Sequence, residues 1–190
     1  GAIWEYLMTL ANSNYEDWRL ANPNEDIDNF KFSFSKMSKA GALFDMVKLA
    51  DVSKNYICRL SAEEVYEMVT DWAKENNKKL YKLLVDDEEY AKAIFAIERG
   101  NAKPRKDISA WTDVENYVSY FYSELWDRKF DFPDNLSNDD MIEILELYKQ
   151  IYDENVSSDD WFPQVRDMAE TIGYAKAPKV YKKDPDSYKG

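Results

Sequence analysis

An all-α protein with one short extended segment is what this sequence predicts, and three observations carry that reading. Apolar residues recur three and four positions apart in successive stretches, the spacing of a helix face. Helix starts are spelled out as caps, as in Ser61-Ala62-Glu63-Glu64, Thr112-Asp113-Val114-Glu115 and Ser137-Asn138-Asp139-Asp140. Five glycines and six prolines in 190 residues are too few for a sandwich or barrel that turns every ten residues. With 45% hydrophobic residues there is enough apolar material for one ordinary domain or two small ones, which excludes global disorder.

The elements follow in order. Ile3, Trp4, Leu7, Met8, Leu10, Ala11, Tyr15 and Trp18 mark a first helix face that ends at the breaker cluster Ala21-Asn22-Pro23-Asn24. From Phe30 to Phe34 aromatics alternate with Lys31 and Ser33, the period of an extended segment. A compact apolar stretch, Ala42 to Leu49, precedes a short helical pattern from Val52 to Leu60. The Ser61 box opens a helix with Val65, Met68, Val69 and Trp72 inward. Asp86 or Asp87 starts the next, with Tyr90, Ala93, Ile94 and Ile97 inward and Gly100 as its stop. The Thr112 box leads to Val118, Phe121, Tyr122 and Leu125. Ser137 leads to Met141, Ile144, Leu145, Tyr148 and Ile151. A last pattern from Trp161 to Ile172 ends at Gly173, the expected C′ glycine. Ala175 to Gly190 has no periodicity: it either folds back over the helices or belongs to a module cut short, and it is read as the latter.

Composition excludes whole classes of chemistry. There is no histidine, which removes imidazole acid/base catalysis, the His-dependent triads and nearly every transition-metal site. The single cysteine, Cys58, cannot form an intrachain disulfide or a Cys-based zinc cluster, and is most simply a small buried hydrophobe. No apolar run reaches the length of a membrane helix. The formal net charge of -12 repels polyanions globally, but the charge is unevenly spread. Lys31 to Leu60 holds six basic against two acidic residues, and Glu98 to Lys106 holds four against one. Asp134 to Asp160 holds nine acids against Lys149 alone.

Three constellations invite a functional reading. Lys36-Met37-Ser38-Lys39 matches the mobile phosphate-binding loop of class I aminoacyl-tRNA synthetases in residue type, but the chain has neither the parallel sheet nor the His-containing element that accompanies it. A structural or RNA-backbone role for Lys36 and Lys39 fits better. Asp86-Asp87-Glu88-Glu89 and Asp159-Asp160 precede helical stripes, where acids cap and favour the helix dipole rather than forming a dyad or metal site. Arg99-Gly100-Asn101-Ala102-Lys103-Pro104-Arg105-Lys106-Asp107 is different. It gathers four cations between two helices of an acidic protein, with Trp111 nearby as a stacking face. The competing reading is a solvated turn.

Taken together, Phe30-Lys31-Phe32-Ser33-Phe34-Ser35-Lys36-Met37-Ser38-Lys39-Ala40-Gly41-Ala42-Leu43-Phe44-Asp45, followed by Lys48-Leu49, resembles the stretch after the catalytic domain of bacterial glutamyl-tRNA synthetases. The resemblance continues through Ile97-Glu98-Arg99-Gly100-Asn101, Pro104-Arg105-Lys106-Asp107-Ile108 and Trp161 to Gly173. Tyr181-Lys182-Lys183-Asp184-Pro185 is similar to the clostridial-type members. Ala40 stands where those proteins usually carry Ser.

The resemblance implies a stem-contact-like helical module over residues 1–60, a first anticodon-binding helical module over 61–130, and the truncated start of a second over 131–190. It implies that the catalytic domain, with its ATP and Mg²⁺, lies before Gly1, so that this chain holds no catalytic residue, cofactor or metal. It assigns anticodon reading to Arg105, with Arg99, Lys103 and Lys106 beside it, and places Lys36 and Lys39 in a non-catalytic motif that contacts tRNA. The expected partner is tRNA, not DNA or membrane, bound by a cytoplasmic monomer. The alternative is an acidic helical module that docks a basic protein.

Overall fold

The first apolar helix face is interrupted where the sequence pattern runs on. In the computed structural model, which describes residues 1–37, 41, 43–127 and 136–189, helix α1 spans Ala2–Ala11 and α2 spans Tyr15–Ala21. Asn12 causes the break: its fully buried side chain donates from Nδ2 to the Ser33 carbonyl at 2.8 Å. The adjacent Ser13 amide donates to the Lys36 carbonyl at 3.2 Å. The inward face of α1 also differs from expectation. Glu5 and Tyr6 are buried, whereas Ile3 and Trp4 are 67% and 66% exposed. Tyr6 is drawn inward because its hydroxyl accepts the Asp45 amide at 2.6 Å and its ring meets Phe44 edge-on.

The segment expected to be extended is so only in part. Phe30 and Ser33 have extended backbone, but Phe34–Lys36 closes a 3₁₀ turn, and no strand forms among the described residues. Phe30 packs edge-on against Tyr15, so the segment serves as a strap over α2. The two short patterns after it are one helix, α3, Met46–Ile57. Asp45 caps it by accepting from the Val47 and Lys48 amides.

The core of this part of the chain is a helical cluster. Helix α4, Ala62–Asn76, begins with the Ser61–Glu64 capping box read from sequence. Helix α5, Lys78–Asp86, has no counterpart in the sequence reading. Asn77 explains it: its Oδ1 accepts the Leu80 amide at 3.0 Å and starts a new helix immediately after α4 ends. Asp87 then caps α6, Glu88–Ala96, through the Tyr90 amide at 3.0 Å. A 3₁₀ turn, Trp111–Asp113, leads to the short helix α7, Val114–Val118.

Here the Thr112 box does not form. Asp113 instead gathers the Ser109 amide at 2.9 Å, the Ser109 hydroxyl at 2.6 Å and the Ala110 amide at 3.0 Å. Val65, Val69, Leu80, Leu84, Ala91, Phe95, Val114 and Val118 are fully buried together. Each large side chain contributes about 1.5–3 kcal/mol by leaving water. Met68, Tyr90, Ile97 and Phe121, expected inward, remain substantially exposed, while Tyr66, Ala91 and Phe95 take the inward places.

The chain divides into two compact units, Gly1–Arg128 and Lys129–Gly190. In the second unit, Ser137 and Asp140 form a capping box at the start of α8, Asn138–Ile151. Helix α9, Ser158–Thr171, is capped by Ser157, starts three residues before Trp161, and ends at Gly173 with φ +92°. The Trp161 indole donates to the Tyr148 hydroxyl at 3.1 Å, tying α9 to α8.

The aperiodic tail folds back. It forms the one-turn helix α10, Pro178–Tyr181, and a 3₁₀ turn at Pro185–Ser187. Lys189 then donates its amide to the Gly173 carbonyl at 2.8 Å and its Nζ to Glu143 at 3.1 Å. Among the described residues, no helix is long and apolar enough to cross a membrane.

Candidate nucleic-acid interface

The basic turn after α6 is held at both ends and open in the middle. At its start Glu98 adopts a left-handed backbone, φ +53°, and Gly100 another, φ +78°. A non-glycine residue in that region costs free energy and persists only when its surroundings fix it. Arg99, between them, supplies the fixing. Its Nε donates to the Phe95 carbonyl at 2.8 Å, and its Nη1 donates to the carbonyls of Ile57 at 2.7 Å and Leu60 at 3.0 Å. The Ile57 carbonyl, at the end of α3, also accepts the Leu60 amide at 3.2 Å, and the guanidinium fork spans it together with the Leu60 and Phe95 carbonyls. Burial pulls the Arg99 guanidinium below its ordinary value, with the nearby Tyr117 acting against that shift. The far end is anchored by Ile108 in the core and by the Ser53 hydroxyl, which donates to the Ser109 carbonyl at 2.6 Å.

Between these anchors Lys103, Arg105 and Lys106 are exposed. Lys103 and Lys106 have no hydrogen-bond or ion-pair partner among the described residues. Arg105 is 56% exposed, and its Nε lies 2.5 Å from Asp107 Oδ2 and 3.6 Å from Glu98 Oε2. The hydrogen bond to Asp107, with that carboxylate's charge, holds the guanidinium above its ordinary value. Trp111 is half-buried against the core rather than presented as a free stacking face. Lys36 is exposed at the end of its 3₁₀ turn, and Lys39 lies outside the described residues.

The turn forms one rim of a cleft of about 900 Å³ within the first unit. Lys48 and Arg59, from the first basic stretch, line this cleft together with Arg99 and Lys106, from the second. Its floor holds a cluster that sequence reading missed. Buried Glu5 receives Arg59 Nη2 at 2.6 Å and Arg19 Nη2 at 3.2 Å. Arg19 also donates to the carbonyls of Asn22 at 3.0 Å and Glu25 at 2.6 Å, and its guanidinium lies 4.8 Å from the Trp18 ring. Two guanidinium groups on one carboxylate leave the floor net positive. Lys48 is paired with Glu16 at 2.5 Å, and the cleft also takes in Asp51 and Glu64, so Lys106 is a rim cation without an ion pair among the described residues in a cleft of mixed charge. The available signal for the cluster was Glu5 itself, a lone charge inside the apolar run Ile3 to Leu10.

The acids that precede the helices act at the caps. Asp87 caps α6, Asp160 joins Ser157 at the start of α9, and no group of three ligating side chains occurs among the described residues.

No protein-family model matches the chain, and no solved structure does. Curated relatives do. A glutamate–tRNA ligase of Acetivibrio thermocellus is 42% identical over 189 residues, covering 100% of this chain and 35% of the relative. One from Clostridium perfringens is 41% identical over 193 residues with the same two coverages. One from Sorangium cellulosum is 42% identical over 188 residues, covering 98% of this chain and 33% of the relative. The chain thus spans about a third of the length of the relatives it matches. It is homologous, over essentially its whole length, to a segment of the bacterial glutamate–tRNA ligases.

Proposed function

We propose that this chain is the tRNA-contacting portion of a glutamate–tRNA ligase and is not itself catalytic. Residues 1–60 contact the stem, residues 61–130 form the first anticodon-binding module, and residues 131–190 begin a second. The ATP- and Mg²⁺-dependent activation of glutamate belongs to a part of the ligase outside this chain. The protein works as a cytoplasmic monomer. The observation that carries the reading is the meeting of both basic stretches at one cleft, with its exposed rim turn, in a protein that is otherwise strongly acidic. Local cations govern phosphate contact even where net charge is unfavourable. Lys103 and Lys106 contact phosphates, Arg105 reads an anticodon base, and Lys36 and Lys39 touch the RNA backbone. Arg99 serves by holding the turn in place.

The test is binding of the 190-residue chain to transfer RNA across a salt series, followed by fluorescence anisotropy. Three or four phosphate contacts to a single-stranded loop give a log–log slope of about -2 to -3. A flat response, or no binding at low salt, contradicts the reading and favours a protein partner for the acidic helices.

A further inference from the structure

We propose that Asp107 is a positioning residue that sets the specificity of Arg105, an inference that rests on the assignment of Arg105 to a base contact. Arg105 is bonded sideways: Asp107 Oδ2 takes the Nε hydrogen at 2.5 Å, and Glu98 Oε2 stands 3.6 Å from the same nitrogen. Neither Nη1 nor Nη2 has a hydrogen-bond partner among the described residues. The two acids come from opposite ends of the turn. Glu98 reaches its place from a left-handed backbone, a conformation that the anchoring of Arg99 maintains. The guanidinium is therefore gripped at Nε, and the donors of Nη1 and Nη2 have no partner among the described residues.

Charge then decides what that fork binds. A guanidinium flanked by two carboxylates has a local sum of -1, so a phosphate gains little there. Lys103 and Lys106, on either side, carry unpaired charge and attract phosphate instead. What remains favourable for Arg105 is a neutral acceptor pair in the plane of the fork, the pattern of a base edge with two adjacent acceptors. Asp107 thus performs two tasks. It fixes the direction of the fork, and it lowers the attraction for phosphate that would otherwise blur base discrimination.

The experiment measures binding of the 190-residue chain to labelled anticodon stem–loop RNAs. Each loop base is substituted in turn, at salt concentrations spanning about fourfold. The proteins are wild type, Asp107→Asn, Asp107→Glu, Arg105→Ala and the Arg105→Ala/Asp107→Asn double variant, each checked by thermal unfolding. Asp107→Asn is expected to reduce the ratio of affinities for matched and substituted loops by about fivefold or more. It is also expected to steepen the log–log salt slope by about 0.7, one added phosphate contact. Asp107→Glu should restore most of the discrimination, and Asp107→Asn should change nothing further once Arg105 is gone.

The proposal is overturned if Asp107→Asn weakens every loop equally at unchanged slope, unfolds the protein, or leaves both readouts unmoved. It is equally overturned if the steeper slope persists without Arg105, which would mark a general charge effect. A loss of discrimination in Arg105→Ala with none in Asp107→Asn rejects this inference alone. Undiminished discrimination in Arg105→Ala rejects the base-reading assignment beneath it.

Discussion

Replacing Arg99 by alanine is expected to damage the fold, whereas replacing Arg105 is not, although both cations lie in one turn. Arg99 makes three charge-assisted bonds to main-chain carbonyls, two of them bridging 39 and 42 residues to the end of α3. Each bond of this kind contributes about 1.5–3 kcal/mol where the carbonyl has no other partner, and less where water reaches it. Because Arg99 is only half-buried, a total of about 2–4 kcal/mol is appropriate. For a unit of 128 residues the unfolding entropy is about 0.3 kcal/mol per kelvin, so Tm should fall by about 7–15 °C.

Arg105→Ala loses only exposed ion pairs and should shift Tm by less than about 2 °C. Arg99→Lys should fall between the two, since a single ammonium cannot span three carbonyls in the fixed fork of a guanidinium. Thermal unfolding followed by far-ultraviolet circular dichroism measures all three variants. An Arg99→Ala protein with wild-type Tm and reduced RNA affinity would refute the holding role and make Arg99 a contact residue.

Other perturbations follow from the same geometry. Glu5→Ala removes the buried carboxylate shared by two partly buried guanidinium groups and should destabilise the first unit by about 2–4 kcal/mol, read from the urea midpoint. At Asp113, burial raises the pKa, but hydrogen bonds from Ser109 and Ala110 outweigh it and hold the group below its ordinary value. Its stabilising contribution is thus fully present above about pH 5 and fades as pH falls through the depressed folded value. Asp113→Asn should accordingly lower the urea midpoint at pH 7 and flatten its decline below about pH 4.

What the sequence made legible was mostly local. The Ser61 and Ser137 caps and the Gly173 stop could be read because each lies within four residues of the group it satisfies. Helix α5 escaped notice because Asn77 begins it without a gap after α4, and its buried Leu80 and Leu84 sit among lysines. The inward face of α1 is not legible in the sequence because Glu5 is buried by Arg19 and Arg59, and Arg59 lies 54 residues away. The same reason hid the role of Arg99. In sequence it is one of four cations in a turn, and only the three-dimensional course of α3 reveals the carbonyls it serves. The pairing of Arg105 with Asp107 spans only two residues, yet the composition of the turn does not give it.

In the proposed function the turn after α6 divides its work: Arg105 reads a base and Lys106 holds phosphate. The direct measurement compares Arg105→Ala and Lys106→Ala chains for affinity to anticodon stem–loops carrying each of the four bases at each anticodon position. Arg105→Ala should lose about tenfold or more on the loop with the recognised base and little on the others. Lys106→Ala should weaken all loops alike and make the salt slope shallower by about 0.7. Equal losses on every loop in both variants would contradict the claim and reduce the turn to a patch of undifferentiated positive charge.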